Sequence, residues 1–423
     1  MDNLITKHTK LGDIPVEWDE CELQDISGFI TKGATPTTYG FDWVDEGIYF
    51  FKSDCVKNGK FVYGNYKFIS PEAHESMKRS KVKHGDLLLS ITGDLGKIAR
   101  IPEDIEEANI NQHIAKIDIT SDVMDDEFVF QWLNRSEVQK YYNLIKTGLA
   151  YPQISLKQVR ETFIPLPPLP EQKKIAKILS TVDGHIDEVD GMIDDLKELK
   201  KGLMQKLLTE GIGHSEFKNS AVGRIPVEWE VKRIDELTNK IVGGGTPSRK
   251  RVDFYNGNIP WITVKDLDGQ FYKSTAKEQI TDEAVKSSSA NLIGKGNVIV
   301  ATRMGLGRGF INVVDVAINQ DMKAVFLKKE VSSDYFLYWY LSIAWLIESM
   351  GEGSTVKGIR LEKLRSLQIA LPTYVEQERI VEILKSVDSR LSDYLSEQSD
   401  LALLKKGLMQ QLLTGRTRVV IDN

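Results

Sequence analysis

The second half of this chain repeats the first. Ile14-Pro15-Val16-Glu17-Trp18 returns verbatim as Ile225-Pro226-Val227-Glu228-Trp229, and Gly33-Ala34-Thr35-Pro36-Thr37 returns as Gly244-Gly245-Thr246-Pro247-Ser248. Gly85-Asp86-Leu87-Leu88-Leu89 matches Gly296-Asn297-Val298-Ile299-Val300, and Leu95-Gly96-Lys97 matches Leu306-Gly307-Arg308. Ile110-Asn111-Gln112 answers Ile318-Asn319-Gln320, and Lys200-Lys201-Gly202-Leu203-Met204-Gln205 reappears as Lys405-Lys406-Gly407-Leu408-Met409-Gln410. The matches keep their order while the offset drifts only from 211 (14 to 225) to 205 (200 to 405). One unit of about half the chain has been duplicated. Its period lies far beyond the roughly 20–50 residues of solenoid repeats, so each copy must supply a domain of its own.

Each copy divides into two parts. The first alternates short β-rich runs (47–56, 86–92 and 113–119) with Gly/Pro/Asn-rich turns. A helical stretch follows, 127–145 in one copy and 335–350 in the other, which predicts an α+β globule with mixed strands and helices. The second part opens at Pro165-Leu166-Pro167-Pro168-Leu169-Pro170, a stiff segment that cannot be helical throughout. Beyond it, Ile175, Leu179, Val182, Ile186, Val189, Ile193, Leu196, Leu199 and Leu203 recur at steps of mainly three and four, and so do Ile380, Leu384, Val387, Leu391, Leu401, Leu404 and Leu408. This spacing predicts two long helices with coiled-coil seams. Neither helix can bury its stripe alone. The simplest partner is the other copy, giving an antiparallel rod of about 38 residues, or roughly 57 Å at 1.5 Å per residue, with a globule at each end. The expected divisions are a first globule at 1–165, its helix at 166–211, a second globule at 212–370, its helix at 371–415 and a tail at 416–423, related by an internal pseudo-two-fold repeat.

Most chemistry is excluded by absence. The only cysteines, Cys21 and Cys55, have no Cys/His cluster beside them, which argues against zinc, iron–sulfur and disulfide frameworks. No Asn/Asp-Pro-Pro-Tyr/Phe tetrapeptide of the amino-methyltransferase type occurs, and no Gly-x-Gly-x-x-Gly follows a strand. Gly93-Asp94-Leu95-Gly96-Lys97 has two residues between its glycines where a phosphate loop needs four, and reads as a tight turn, as does Gly305–Gly309. His113 corresponds to Asp321 in the other copy, so it is not a repeated catalytic group, and Cys55 reads as a small apolar filler. No catalytic, cofactor or metal residue is expected. The start lacks an apolar leader and no run of about 18 apolar residues occurs, so the expected compartment is the cytoplasm.

What remains is a surface able to read nucleic acid. Fifty-five basic against 61 acidic residues give a net charge of −6, which excludes a uniformly basic binder but not a local patch. Residues 231–330 carry about five more basic than acidic side chains, whereas the matching part of copy one is slightly acidic. The turns differ accordingly: Lys32, Thr35 and Thr37 in one copy, Thr246, Ser248, Arg249, Lys250 and Arg251 in the other. Hydroxyls and amides in such turns hold phosphate oxygens, and arginine adds a fork for guanine, though a solvated loop has the same composition. Lys97, with Arg100 beyond it, and Arg303 with Arg308 flank the Gly-rich turns. Asn111-Gln112 and Asn319-Gln320 suit either adenine edges or buried backbone. Tyr151 and Gln153 in 146–153, and Lys357 in 352–357, complete the candidate set.

Taken together these motifs resemble the specificity (S) subunit of type I restriction–modification systems: Ile-Pro-x-x-Trp, Gly-x-Thr-Pro-Ser, a Gly-Asp-Leu-Leu-Leu strand, then Leu-Pro-Pro-Leu-Pro-Glu-Gln before a long helix. The second hinge, Leu371-Pro372-Thr373-Tyr374-Val375-Glu376-Gln377, is looser but keeps the Glu-Gln pair. The resemblance covers essentially the whole chain. It implies a non-catalytic reader of double-stranded DNA, with each globule a target recognition domain for half of a bipartite asymmetric site. The helices then set the spacer and dock two methyltransferase (M) subunits, joined by restriction (R) subunits in the full complex. S-adenosylmethionine, ATP and magnesium are implied only in those partners. The rival readings are a self-sufficient DNA methyltransferase and a structural coiled-coil adaptor.

Overall fold

The computed structural model describes residues 5–148, 150–353 and 356–421. Two compact units emerge, one formed by Met1–Asp190 with Ser396–Asn423 and the other by Gly191–Leu395. The division falls inside both long helices. Each unit therefore owns the front part of one helix and the back part of the other.

Unit one is built on a four-stranded antiparallel sheet ordered Ser27–Lys32, Ile114–Ile119, Leu87–Ser90, Ile98–Arg100. Its strand Leu87–Ser90 is buried along its whole length, which demands cover on both faces. Alternation supplies it: Leu87 and Leu89 enter the core containing Trp18, Phe128 and Leu133, while Leu88 enters a second core with Phe51, Cys55 and Ile110. Cys55 is thus the small apolar filler its context suggests. A second four-stranded sheet, ordered Lys67–Ile69, Ile48–Phe51, Ala108–Ile110, Lys81–Val82, has a parallel central pair. Unit two repeats the plan with Val298–Ala301 as the dividing strand, Val298 and Val300 facing one core and Ile299 and Ala301 the other.

The expected helical stretches are each broken once. Copy one has Asp126–Leu133 and Ser136–Ile145, and copy two has Ser333–Ser342 and Ala344–Ser349. Asp125 caps the first by accepting from the Phe128 amide at 2.9 Å, and Asn134 ends it. The proline-rich segment is also more ordered than a hinge. Pro165 lies in the strand Phe163–Leu166, paired with Asp19–Glu22 in a sheet of only two strands, where a missing N–H costs little. Helix begins again at Leu169, with Pro170 in its first turn.

Two of the repeated motifs turn out to be halves of one joint. In unit one the Trp18 indole donates to Glu171 at 3.0 Å, and Arg418 grips the same carboxylate at 2.7 and 2.8 Å. Gln172 next to it is fully buried; it accepts from the Asp125 amide and donates to the Val123 and Pro167 carbonyls. Unit two does the same with Trp229 and His214 on Glu376, and with Gln377 on Ser332, Glu330 and Pro372. The Ile-Pro-x-x-Trp and Glu-Gln motifs therefore fix the start of each long helix to its own globule.

The long helices, Leu169–Leu207 and Tyr374–Leu412, pair antiparallel as a coiled coil. Within unit one, Ile175 and Leu179 share a core with Met409, Leu412 and Leu413. Asp183 pairs with Lys405, and Asp190 with Gln398, so seven residues forward on one helix match seven backward on the other. Within unit two, Leu207 and Leu208 share a core with Ile380, Val381 and Leu384, and Lys200 pairs with Asp388 at 2.6 Å. Of the expected seam, Ile175, Leu179, Val189, Ile193, Ile380, Leu384 and Val387 are buried. Val182, Ile186, Leu196, Leu203, Leu391, Leu401 and Leu408 are half-buried. Leu199 and Leu404 correct the reading, being exposed at 50% and 51%. A stripe stepped by threes and fours drifts around a 3.6-residue helix, and these two have rotated off the seam.

Candidate nucleic-acid interface

Each unit gathers its sequence-predicted loops onto one face, through backbone hydrogen bonds. In unit one, the turn after Lys32 reaches the 111–113 turn as Gly33 donates to Ile114 O at 3.3 Å and the Thr35 hydroxyl donates to Gln112 Oε1 at 2.8 Å. Gly33 is required there, because a Cβ would lie 1.9 Å from Ile110 O. Ile91 N donates to His113 O and Gly93 N to Pro152 O, both at 2.9 Å, while Thr147 and Gln153 bond each other's backbones. Unit two uses the same plan. Thr246 bonds Gln320 at 2.7 Å, Thr302 N donates to Asp321 O at 2.8 Å, and Met304 N to Lys357 O at 3.2 Å. A bridge also joins Arg303 to Gly358. Leu149, Ser354 and Thr355, within the two expected contact loops, lie outside the described residues.

The candidates separate by what their side chains already do. Asn111 and Asn319 are buried, and each accepts from the amide two residues on, His113 N or Asp321 N, at 3.1 Å. They hold their turns together. Gln112 and Gln320 are exposed; each accepts from a Thr hydroxyl, and Gln112 also lies 3.2 Å from His113 Nε2. Lys97 is paired with Asp94, and Arg303 lies 3.4 Å from Asp321 with half its side chain exposed. Arg249 forks onto Glu278 at 3.1 and 2.8 Å, which holds its guanidinium above the usual arginine range, and Arg251 is likewise held by Asp253. Lys32, Thr37, Tyr151, Gln153, Ser248, Lys250, Arg308 and Lys357 are exposed. Arg100, by contrast, is spent on Asp126, Glu127 and the Gly85 carbonyl.

Residues that periodicity did not single out complete the face. In unit one a cavity of about 400 Å³ opens between Thr35, Trp43, Phe50, Lys52, Gln112 and His113. In unit two the matching aromatic wall, Tyr255 and Trp261, is covered by Arg249, whose guanidinium carbon sits 4.4 and 5.0 Å from the two ring centres. Lys52 carries no sequence signal, since its counterpart is Thr263. Beneath the unit-two face Lys323 is half-buried, and burial lowers its pKa. Such amide, hydroxyl and cationic groups on an open loop surface suit phosphates and base edges. No group of three potential metal ligands occurs among the described residues. Burial, with Asp25 and Glu20 nearby, pushes the Cys21 thiol up to about 11, far from a reactive thiolate. No helix among the described residues is long and apolar enough to cross a membrane.

Comparison with known proteins gives one consistent result. The model of the type I restriction modification DNA specificity domain matches twice, over residues 15–198 and 226–399. The type I restriction enzyme MjaVIII specificity subunit of Methanocaldococcus jannaschii is 27% identical over 423 residues, covering 96% of this chain and 94% of that protein. The EcoR124I/EcoR124II specificity subunit of Escherichia coli is 32% identical over 239 residues, 53% of this chain and 55% of that protein. Among solved structures, the type I restriction-modification S subunit from M. genitalium shares the fold with a TM-score of 0.60 at 15% identity, over 96% of this chain and 99% of that one.

Proposed function

The chain belongs to the type I restriction–modification DNA specificity family, and from that premise we propose that each loop face reads one half of a bipartite, asymmetric site in duplex DNA. The observation that carries this is the pair of faces itself: one backbone scheme, built twice, with different side chains at its edges. One face presents Gln112 and an open aromatic cavity; the other presents Gln320, Lys250, Arg303 and an aromatic wall closed by Arg249. Equal frames with unequal chemistry read unequal sequences. The helix pair sets the distance between half-sites, as symmetry does for dimeric readers, and docks two methyltransferase subunits, which restriction subunits then join. Tethering makes the second reading event intramolecular, so affinity rises only where the spacing fits. Methyl transfer, with S-adenosylmethionine, and ATP-driven cleavage, with magnesium, belong to those partners, and the complex works in the cytoplasm.

The test is to map the methylated motif in cells carrying this chain with its methyltransferase partner. Replacing residues 225–365 with those of another family member is expected to alter one half of the motif only. Inserting one helical turn into each long helix is expected to change the spacer and leave both halves intact. Altered halves with an unchanged spacer refute the assignment.

A further inference from the structure

At one point the two faces differ in a way that backbone chemistry does not favour. Among the described residues, Met304 is the single non-glycine residue with a positive φ, at 55°. Its counterpart in the other copy is Gly93, at φ 78°, which occupies the same left-handed turn without a Cβ to strain it. The strained conformation is imposed from several sides: Met304 N is held by Lys357 O, Arg303 is bridged to Gly358, and Ile359 N donates to Thr302 O at 2.9 Å.

Strain of this kind persists where something else compensates for it. Packing within the described chain does not, because the methionine is 58% exposed. Its neighbours are Arg303, half exposed and near Asp321, and Lys357, exposed on the adjoining loop. An unbranched, polarisable thioether thus stands exposed on this face, next in the chain to Arg303 and joined through its backbone to Lys357, so cationic side chains lie nearby. Cations that engage phosphates would carry such a group against the stacked bases, where methionine acts as an apolar wedge in other duplex binders.

We propose that Met304 is a specificity-determining contact of unit two, its side chain pressing on or between the bases of the half-site that unit two reads. In unit one Gly93 leaves that place empty, so the two half-sites differ in deformation as well as in base contacts. This inference rests on the assignment of the loop faces to DNA.

The experiment uses the full chain assembled with its methyltransferase subunits and a duplex carrying the mapped motif, read by fluorescence anisotropy. Met304→Gly relieves the strain, so its melting temperature is expected to stay level or rise while affinity falls about tenfold. Met304→Gln keeps the strain and length but loses the apolar tip, and is expected to lose affinity alike with no gain in melting temperature. Neither removes a charge, so the salt dependence of binding is expected to keep its slope. A 2-aminopurine placed in the unit-two half-site is expected to brighten on binding the original complex and not the Met304→Gly complex. Affinity and motif unchanged in both variants overturn the inference while the DNA assignment stands. An original complex that binds no duplex overturns the assignment, and this inference with it.

Discussion

Lys116 and Asp86 form a buried ion pair in unit one, 2.6 Å apart, with 14% and 4% of their side chains exposed. Asp86 has one further donor, the Lys83 amide at 2.9 Å. Copy two replaces the pair with Ala324 and Asn297, uncharged residues in the same fold. That difference sets a double-mutant cycle. Lys116→Met keeps the stem and removes the charge, leaving a carboxylate almost wholly buried with one amide. Breaking a buried pair this way costs about 3–5 kcal/mol, and the slight exposure of Lys116 points to the lower end, about 3. Asp86→Asn is expected to cost less, about 1–2 kcal/mol, since the lysine stem can carry its ammonium toward water. The double variant imitates copy two and is expected within about 1 kcal/mol of the original, a coupling of roughly 3–4 kcal/mol. Calorimetry of the full chain reads this as a shift of the unit-one transition. About 2–4 °C per kcal/mol for a unit of this size gives roughly 6–12 °C for Lys116→Met. A double variant that costs the sum of the two singles refutes the reasoning, because the charges would then not be compensating each other.

Two further outcomes follow from other sites. Gly244→Ala places a Cβ 1.8 Å from the backbone oxygen of Ile318; it is expected to cost about 3 kcal/mol or more and to weaken recognition of one half-site, as melting and motif mapping would register. Burial raises the pKa of Glu127, with Gln131 and Arg100 opposing, so its stabilising contribution is fullest below the ordinary carboxylate range near 4.3 and is lost as pH rises through the higher folded value. Glu127→Gln is therefore expected to raise the melting temperature at pH 7 relative to that at pH 3, steepening the acid side of the profile; an unchanged slope contradicts the burial argument.

The duplication, the paired helices and the loop faces were legible because they rest on local pattern. Repeated words mark repeated folds, and seam residues such as Ile175 and Leu384 announce themselves by spacing. What joins distant segments was not legible. Nothing near Trp18 says that its indole meets Glu171, 153 residues on, or that Arg418 closes over the same carboxylate. Ion pairing was equally hidden. Arg249 looks free in sequence, yet it is matched to Glu278, 29 residues on, which only the fold brings near, while Arg251 takes Asp253 two residues away in the chain. Asn111 and Gln112 stand side by side in the chain and face opposite environments, one holding a turn and the other standing at the surface.

Because unit one takes its core from both ends of the chain, translation and folding run in opposite orders. Unit two lies wholly within Gly191–Leu395, so it is complete once that stretch has left the ribosome. Unit one, begun earlier, must wait for Met409, Leu412 and Leu413 to cover Ile175 and Leu179. At about 5–20 residues per second that wait lasts roughly ten to forty seconds. Throughout it an apolar helix face stays open on the nascent polypeptide, and the domain made first is the last to close.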